Sequence, residues 1–285
     1  MPGRFPDLIC IGAQKAATTW LYEMLRRRPQ FYLPALKELH YFTQIHQPEI
    51  KFPRAHRANG AERIRKFLAA NPNAPKARER LAEADLLGQA EVDDEWYGSL
   101  FAGALPEQMC AEACPSYLHL PKAGIEHLLG LNPSVRLVLF VRDPVDRAWS
   151  HIRMNLGRGT VAGEDALLSG SHSTKQYVEQ SEYRNSMTLW RSLATPGQLN
   201  VFLYDNVEAD PASVISRVHE LVGLPAPADF GAVNKRLHES AQFAFPKELR
   251  AKLLEQLTPQ YDFLSVEFPE AVSRWLAKHR AALAR

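Results

Sequence analysis

Apolar residues gather in short unbroken runs, separated by stretches in which they recur every three or four positions. Leu8–Ile11, Arg136–Val141 and Asn200–Tyr204 are the clearest runs, with a weaker one at Met109–Ala113 and a short one at Phe31–Leu33. Runs of that length predict buried strands of a parallel sheet. The periodic stretches predict helices. After the first run, Trp20, Leu21, Met24 and Leu25 fall on one side, and Glu23, Arg26, Arg27 and Arg28 on the other. Such alternation predicts right-handed βαβ units and an α/β fold with a central, mainly parallel sheet flanked by helices. The length of 285 residues suits one domain over 1–285. Residues 43–95 are polar and predict helices broken at Asn71-Pro72-Asn73-Ala74-Pro75, a candidate lid. Residues 155–182, rich in small polar residues, predict a mobile loop near the site. The stretch after Phe245 reads as helix.

The first run enters Gly12-Ala13-Gln14-Lys15-Ala16-Ala17-Thr18-Thr19 and then the helix at Trp20. A strand, a turn of small residues, a lysine, paired threonines and a helix form an arrangement that holds a phosphate, because N–H groups and the dipole at a helix start favour an anion. A Walker A loop needs lysine directly before the hydroxyl; here Lys15 precedes Thr18 by three residues, so ATP or GTP is not the natural ligand. Alone, the loop fits an ordinary strand-to-helix turn equally well. The Arg136–Val141 run enters Arg142-Asp143-Pro144 and reaches Ser150 eight residues after Arg142. Arg142 offers a planar fork for phosphate oxygens and Ser150 a neutral hydroxyl; an arginine–aspartate surface pair is the plainer alternative. Asp143 or Pro144 suits the start of the next helix.

These two segments, in this order, resemble the 5′-phosphosulfate loop and the 3′-phosphate motif of the sulfotransferases. Further segments carry the resemblance: Pro34 to Phe42 with Lys37-Glu38, Glu95-Trp96-Tyr97, Glu112 to Leu118, Tyr183 with Trp190, and Leu221 to Pro225. The pattern is closer to the carbohydrate-type and bacterial members than to the cytosolic phenol and steroid enzymes, and it covers roughly residues 7–265. The resemblance implies a P-loop-NTPase-like three-layer sandwich. It implies transfer of a sulfuryl group from 3′-phosphoadenosine 5′-phosphosulfate (PAPS) to a hydroxyl or amine acceptor, releasing the bisphosphate PAP. Gln14, Lys15, Ala16, Ala17, Thr18, Thr19, Trp20, Arg142, Ser150, Tyr183, Lys235 and Arg236 are then the donor-binding candidates. Lys15 would also neutralise the leaving oxygen. Glu38 is the implied base, with His40 competing for that role. No metal is required, since lysine, arginine and helix dipoles neutralise the transferred group. The chain departs from the pattern at Ala17, where glycine is usual, at Ala113, where several carbohydrate enzymes carry lysine, and at Asn234-Lys235-Arg236, which lacks a glycine. A nucleotide kinase and a non-catalytic nucleotide-binding protein with the same fold remain alternatives.

Composition narrows the partners. The net charge of +2, with charges mixed, does not suggest nucleic-acid binding. No apolar run approaches the length of a membrane span. Cys10, Cys110 and Cys114 cannot all pair within one chain and have no zinc-ligand spacing, so reduced thiols and a cytoplasmic location are expected. The acceptor, a carbohydrate or small natural product by resemblance, is not legible, and neither is the oligomeric state.

Overall fold

The computed structural model describes residues 4–161, 173–230 and 243–285. Five strands form one parallel sheet: β1 (Leu8–Gly12), β2 (Phe31–Tyr32), β3 (Met109–Ala113), β4 (Arg136–Val141) and β5 (Leu199–Leu203). Their order is β2-β3-β1-β4-β5. β1 is buried at every position and β4 at all but its first, because helices cover both faces. β5 is only partly buried throughout, as suits an edge. The chain leaves β1 towards one side of the sheet, returns, and continues on the other. A switch point therefore lies between β1 and β4, and a cleft is expected beyond their carboxyl ends.

The helices follow the predicted alternation. α1 (Thr18–Arg26) buries Trp20, Leu21, Met24 and Leu25 and exposes Arg26. The polar stretch holds α2 (Tyr41–His46), α3 (Phe52–Ala70) and α4 (Ala77–Leu87), with the break at the expected Asn71 to Pro75. α5 (Asp94–Ser99), a 3-10 turn (Pro115–His119) and α6 (Lys122–Leu131) complete that half. The other half holds α7 (Pro144–Gly157), α8 (Lys175–Glu179), α9 (Tyr183–Leu193), α10 (Tyr204–Ala209) and α11 (Pro211–Leu221), then α12 (Lys247–Ser265) and α13 (Pro269–Ala284). Asp143 caps α7 by accepting from the N–H groups of Val145 and Asp146, with Pro144 in the first turn.

One expectation is corrected. Residues 155–157 continue α7, and 173–182 carry α8 instead of a loop. The cause is tertiary: buried Arg147 donates from Nε to Ser181 Oγ (2.5 Å) and from Nη2 to the Tyr177 carbonyl, and the Tyr177 ring is fully buried. Residues 162–172 of that predicted loop lie outside the described residues. Among the described residues, no helix is long and apolar enough to cross a membrane.

Candidate functional site

The expected cleft opens beyond β1 and β4, with a volume of about 2260 Å³. Residues 14 to 20 all line it, as do Glu38, His40, Arg142 and Ser150. At one end the loop after β1 is tied to the sheet by the N–H of Ala13 on the Phe140 carbonyl (3.0 Å) and closes on itself by Ala16 N–H on the Ala13 carbonyl (3.1 Å). Lys15 and Ala17 adopt left-handed backbone, φ 69° and 62°. The missing glycine is therefore a strained alanine and not a different turn. Ala17 also offers no side-chain cap to α1.

Cations converge there. Arg142 donates from Nη1 to the Lys15 carbonyl (2.8 Å) and stacks over Tyr204 at 4.4 Å. The arginine–aspartate surface pair does not form. Burial, then Arg142, Arg158, Arg153 and Arg147, push the Lys15 ammonium down to about 8. His151 is pushed down to about 3, by burial and then by Arg147, Lys15 and Arg158, and stays neutral. Among the described residues, Arg153 Nε and His151 Nδ1 are buried without a hydrogen-bond partner. A concentration of positive charge with unused polar nitrogens is an environment an anion would relieve.

The backbone of Arg142 is braced from behind. Its N–H donates to Tyr183 Oη at 3.2 Å. Tyr183 is fully buried, so it meets the site through that backbone bond and does not face the cleft. The next residue, Asp143, accepts from Tyr261 Oη (2.6 Å), His279 Nε2 (2.8 Å) and Lys278 Nζ (2.9 Å). Despite burial, His279, Lys278 and Tyr261 hold its carboxyl well below the usual range. Gln260, adjacent to Tyr261, accepts from the N–H groups of Tyr183 (2.9 Å) and Arg184 (3.0 Å). Two consecutive residues of α12 thus brace both sides of Arg142. Asp143, Asp146 and His279 approach one another closely enough for a metal, but the Lys278 ammonium already bonds both carboxylates.

At the other end stand Glu38 and His40. Both have left-handed backbone, φ 65° and 56°, on either side of Leu39. Leu39 is clamped: its N–H donates to Glu112 Oε1 (3.2 Å) and its carbonyl accepts from Arg57 Nη1 (3.5 Å). Glu112 is held in turn by Tyr97 Oη (2.6 Å) and Tyr117 Oη (3.1 Å), and burial pushes its carboxyl up to about 7. The segments of Tyr97 and of Glu112 to Leu118, conspicuous in the sequence, therefore meet behind the Glu38 turn. Glu38 pairs with Lys37, the plainer role a carboxylate beside a lysine suggests, yet it still lines the cleft. Burial raises its carboxyl, but the His40 ring and the Lys37 ammonium outweigh that and hold it at about 2. His40 Nε2 lies 3.6 Å from Glu38 Oε2, and its Nδ1 lies 2.9 Å from Ser116 Oγ.

The sequence matches the model of the sulfotransferase family over residues 6–228. The chain belongs to the sulfotransferase family. It is similar to the human and mouse heparan sulfate glucosamine 3-O-sulfotransferase 6, each 24% identical over 234 residues. That alignment covers 78% of this chain and 54% of either relative, so the chain spans about half the length of the curated relatives it matches. A sulfotransferase from Alicyclobacillus acidocaldarius has the same fold (TM-score 0.62, 20% identity, 95% of this chain and 99% of that one). A sulfotransferase domain from the curacin biosynthetic pathway also shares it (TM-score 0.57, 16% identity, 96% and 98%). The P-loop-like sandwich is thereby the fold of this chain. Helices α12 and α13, which brace Asp143, lie beyond the matched residues. Lys235 and Arg236 lie outside the described residues. Ala113 is buried at the end of β3 and presents no charge. Sequence reasoning does not single out Arg57, Arg153 or Tyr261, nor Glu112 as a clamp. Only an acid and tyrosines recurring in separate polar segments hint at the clamp.

Proposed function

We propose that this sulfotransferase moves a sulfuryl group from PAPS to an acceptor hydroxyl and releases PAP. The observation that carries the reading is the cationic end of the cleft, where Lys15, Arg142 and Arg153 surround an uncapped helix start. Those residues fit a donor with two separated anionic groups. The donor supplies a sulfuryl group already activated by a phosphate leaving group. Lys15 and the first N–H groups of α1, with Thr18 and Thr19, neutralise charge where the bond breaks. Arg142 and Ser150 hold the second phosphate, and Arg142 stays oriented by the Lys15 carbonyl and the Tyr204 ring.

Glu38 takes the acceptor proton. Its carboxylate is ionised at neutral pH, but paired with Lys37 it is a weak base. Displacing Lys37 when the acceptor enters would raise its basicity where the proton leaves. His40 steadies Glu38 from 3.6 Å. A cytoplasmic location is supported by Cys10, Cys110 and Cys114, all free and buried.

Calorimetry with PAP, ATP and GTP in metal-free buffer tests the reading. PAP is expected to bind at least tenfold more tightly than either triphosphate. Equal or tighter binding of ATP, dependent on Mg²⁺, would favour a kinase instead.

A further inference from the structure

The described residues expose eight large apolar side chains, and four of them line this one cleft: Phe52 (58% exposed), Phe67 (50%), Ile50 (39%) and Phe243 (38%). Single exposed apolar residues need no explanation, but a concentration in a cleft does. Two of the four, Phe52 and Phe67, lie on α3. Phe52, His56, Gly60, Ile64 and Phe67 all line the cleft and recur every three or four positions, so they form one stripe along the helix. The fifteen residue steps from Phe52 to Phe67 make that stripe about 22 Å long.

The stripe begins at the candidate base. The Phe52 ring packs edge-on against His40 at 5.4 Å and lies 5.3 Å from His56. His56 Nε2 lies 3.0 Å from the Lys37 carbonyl. Further along, Gly60 admits Leu36 so closely that a Cβ there would stand 2.7 Å from a Leu36 methyl. The cleft-lining face of α3 is therefore joined to the Glu38 segment at three points. Charges on this wall are mixed: Arg63, Lys76 and Arg80 alternate with Glu79 and Glu83. A polyanionic chain would require a cationic track, and the concentrated cations lie at the Lys15 end instead.

We infer that the acceptor is a hydroxyl carried on an extended apolar chain that lies along α3 with the hydroxyl at Glu38. Sulfuryl transfer then forms the acceptor O–S bond, breaks the bond from sulfur to the phosphate oxygen, and leaves the hydroxyl proton on Glu38. This rests on the sulfuryl-transfer reading above, and the experiment separates the two.

Straight-chain primary alcohols of four to twelve carbons are compared with a desulfated heparan oligosaccharide. Turnover is measured with PAPS, and alcohol binding to the PAP-loaded enzyme by calorimetry, so that the outcome is decided even without turnover. Efficiency and affinity are expected to rise two- to fourfold per methylene, up to the full effect of burying one CH₂. Phe52→Ala is expected to flatten that slope over the shorter alcohols and Phe52→Leu to restore most of it, with PAP affinity unchanged in both. A flat chain-length series with intact PAP binding would overturn the inference and leave the sulfuryl-transfer reading standing. So would a tenfold preference for the oligosaccharide. A partner protein covering the stripe would also give the flat result. Loss of PAP binding in the wild-type protein would overturn both.

Discussion

The two ends of the cleft are built differently. At the Lys15 end, every backbone turn is braced by a second layer: Ala13 on β4, Arg142 on Tyr183, and Asp143 on Tyr261, His279 and Lys278. At the Glu38 end, the backbone is clamped through Leu39, but the wall it faces is an exposed helix stripe. A rigid cationic socket suits a ligand of fixed shape. An exposed wall suits a ligand whose shape differs between members of one fold. The contrast separates what such a site must recognise every time from what it is free to vary.

The sharpest way to break this contrast is Glu38→Gln. Turnover on a hydroxyl acceptor is expected to fall 10²–10⁴-fold, the usual worth of a general base, while PAP affinity measured by calorimetry stays within twofold. Little loss in Glu38→Gln, beside an inactive but folded His40→Ala, would move the base to His40. A smaller effect is expected at the other end. Arg142→Ala should weaken PAP by about 1.5–3 kcal/mol, some 10–150-fold, without altering acceptor affinity. Unchanged PAP binding in the folded variant would remove Arg142 from the donor site.

Titration sharpens the same difference. Lys15 is lowered from 10.5 to about 8, so its charge is lost as pH rises through 8. PAP affinity should therefore fall severalfold between pH 7 and 9. The stability effect has the opposite sign: between pH 8 and 10.5 the unfolded chain holds the proton that the folded chain has released, so this group makes the ligand-free protein more stable as pH rises. Lys15→Met should abolish both trends; a slope that persists belongs to another group. The smallest effect is expected from Ala17→Gly. Relief of left-handed strain, less the entropy glycine loses on folding, should stabilise the protein by about 0.5 kcal/mol, read by chemical denaturation. Destabilisation would mean that the Ala17 methyl is needed for packing.

How much is legible depends on how far each signal reaches along the chain. The central strands β1 and β4 follow from local apolar runs, because burial on both faces removes the need for any polar position. The Lys15 loop and the Arg142 turn follow from residue types that phosphate chemistry requires. Residues 173–182 read as a loop because their order comes from Arg147, a buried cation about 30 positions away, rather than from their own periodicity. The clamp on Leu39 is equally hidden: Glu112, Arg57 and Tyr97 are far apart in sequence and meet only once the sheet has formed. The strain at Ala17 is visible as a residue out of place; its resolution, a left-handed alanine, emerges only in the folded chain.

The position of β1 in the sheet has a consequence for synthesis. This strand is complete at Gly12, but its two neighbours begin only at Met109 and Arg136. At about 5–20 residues per second, translation from Gly12 to Met109 takes roughly 5–20 s. During that interval a wholly apolar strand has no partner on either edge, and the phosphate loop after it has no β4 to close against. Pairings so distant in sequence are slow to form. Nascent chains shorter than about 140 residues should therefore present Leu8 to Ile11 to chaperones, and the ability to bind an anion should emerge late and abruptly, with β4.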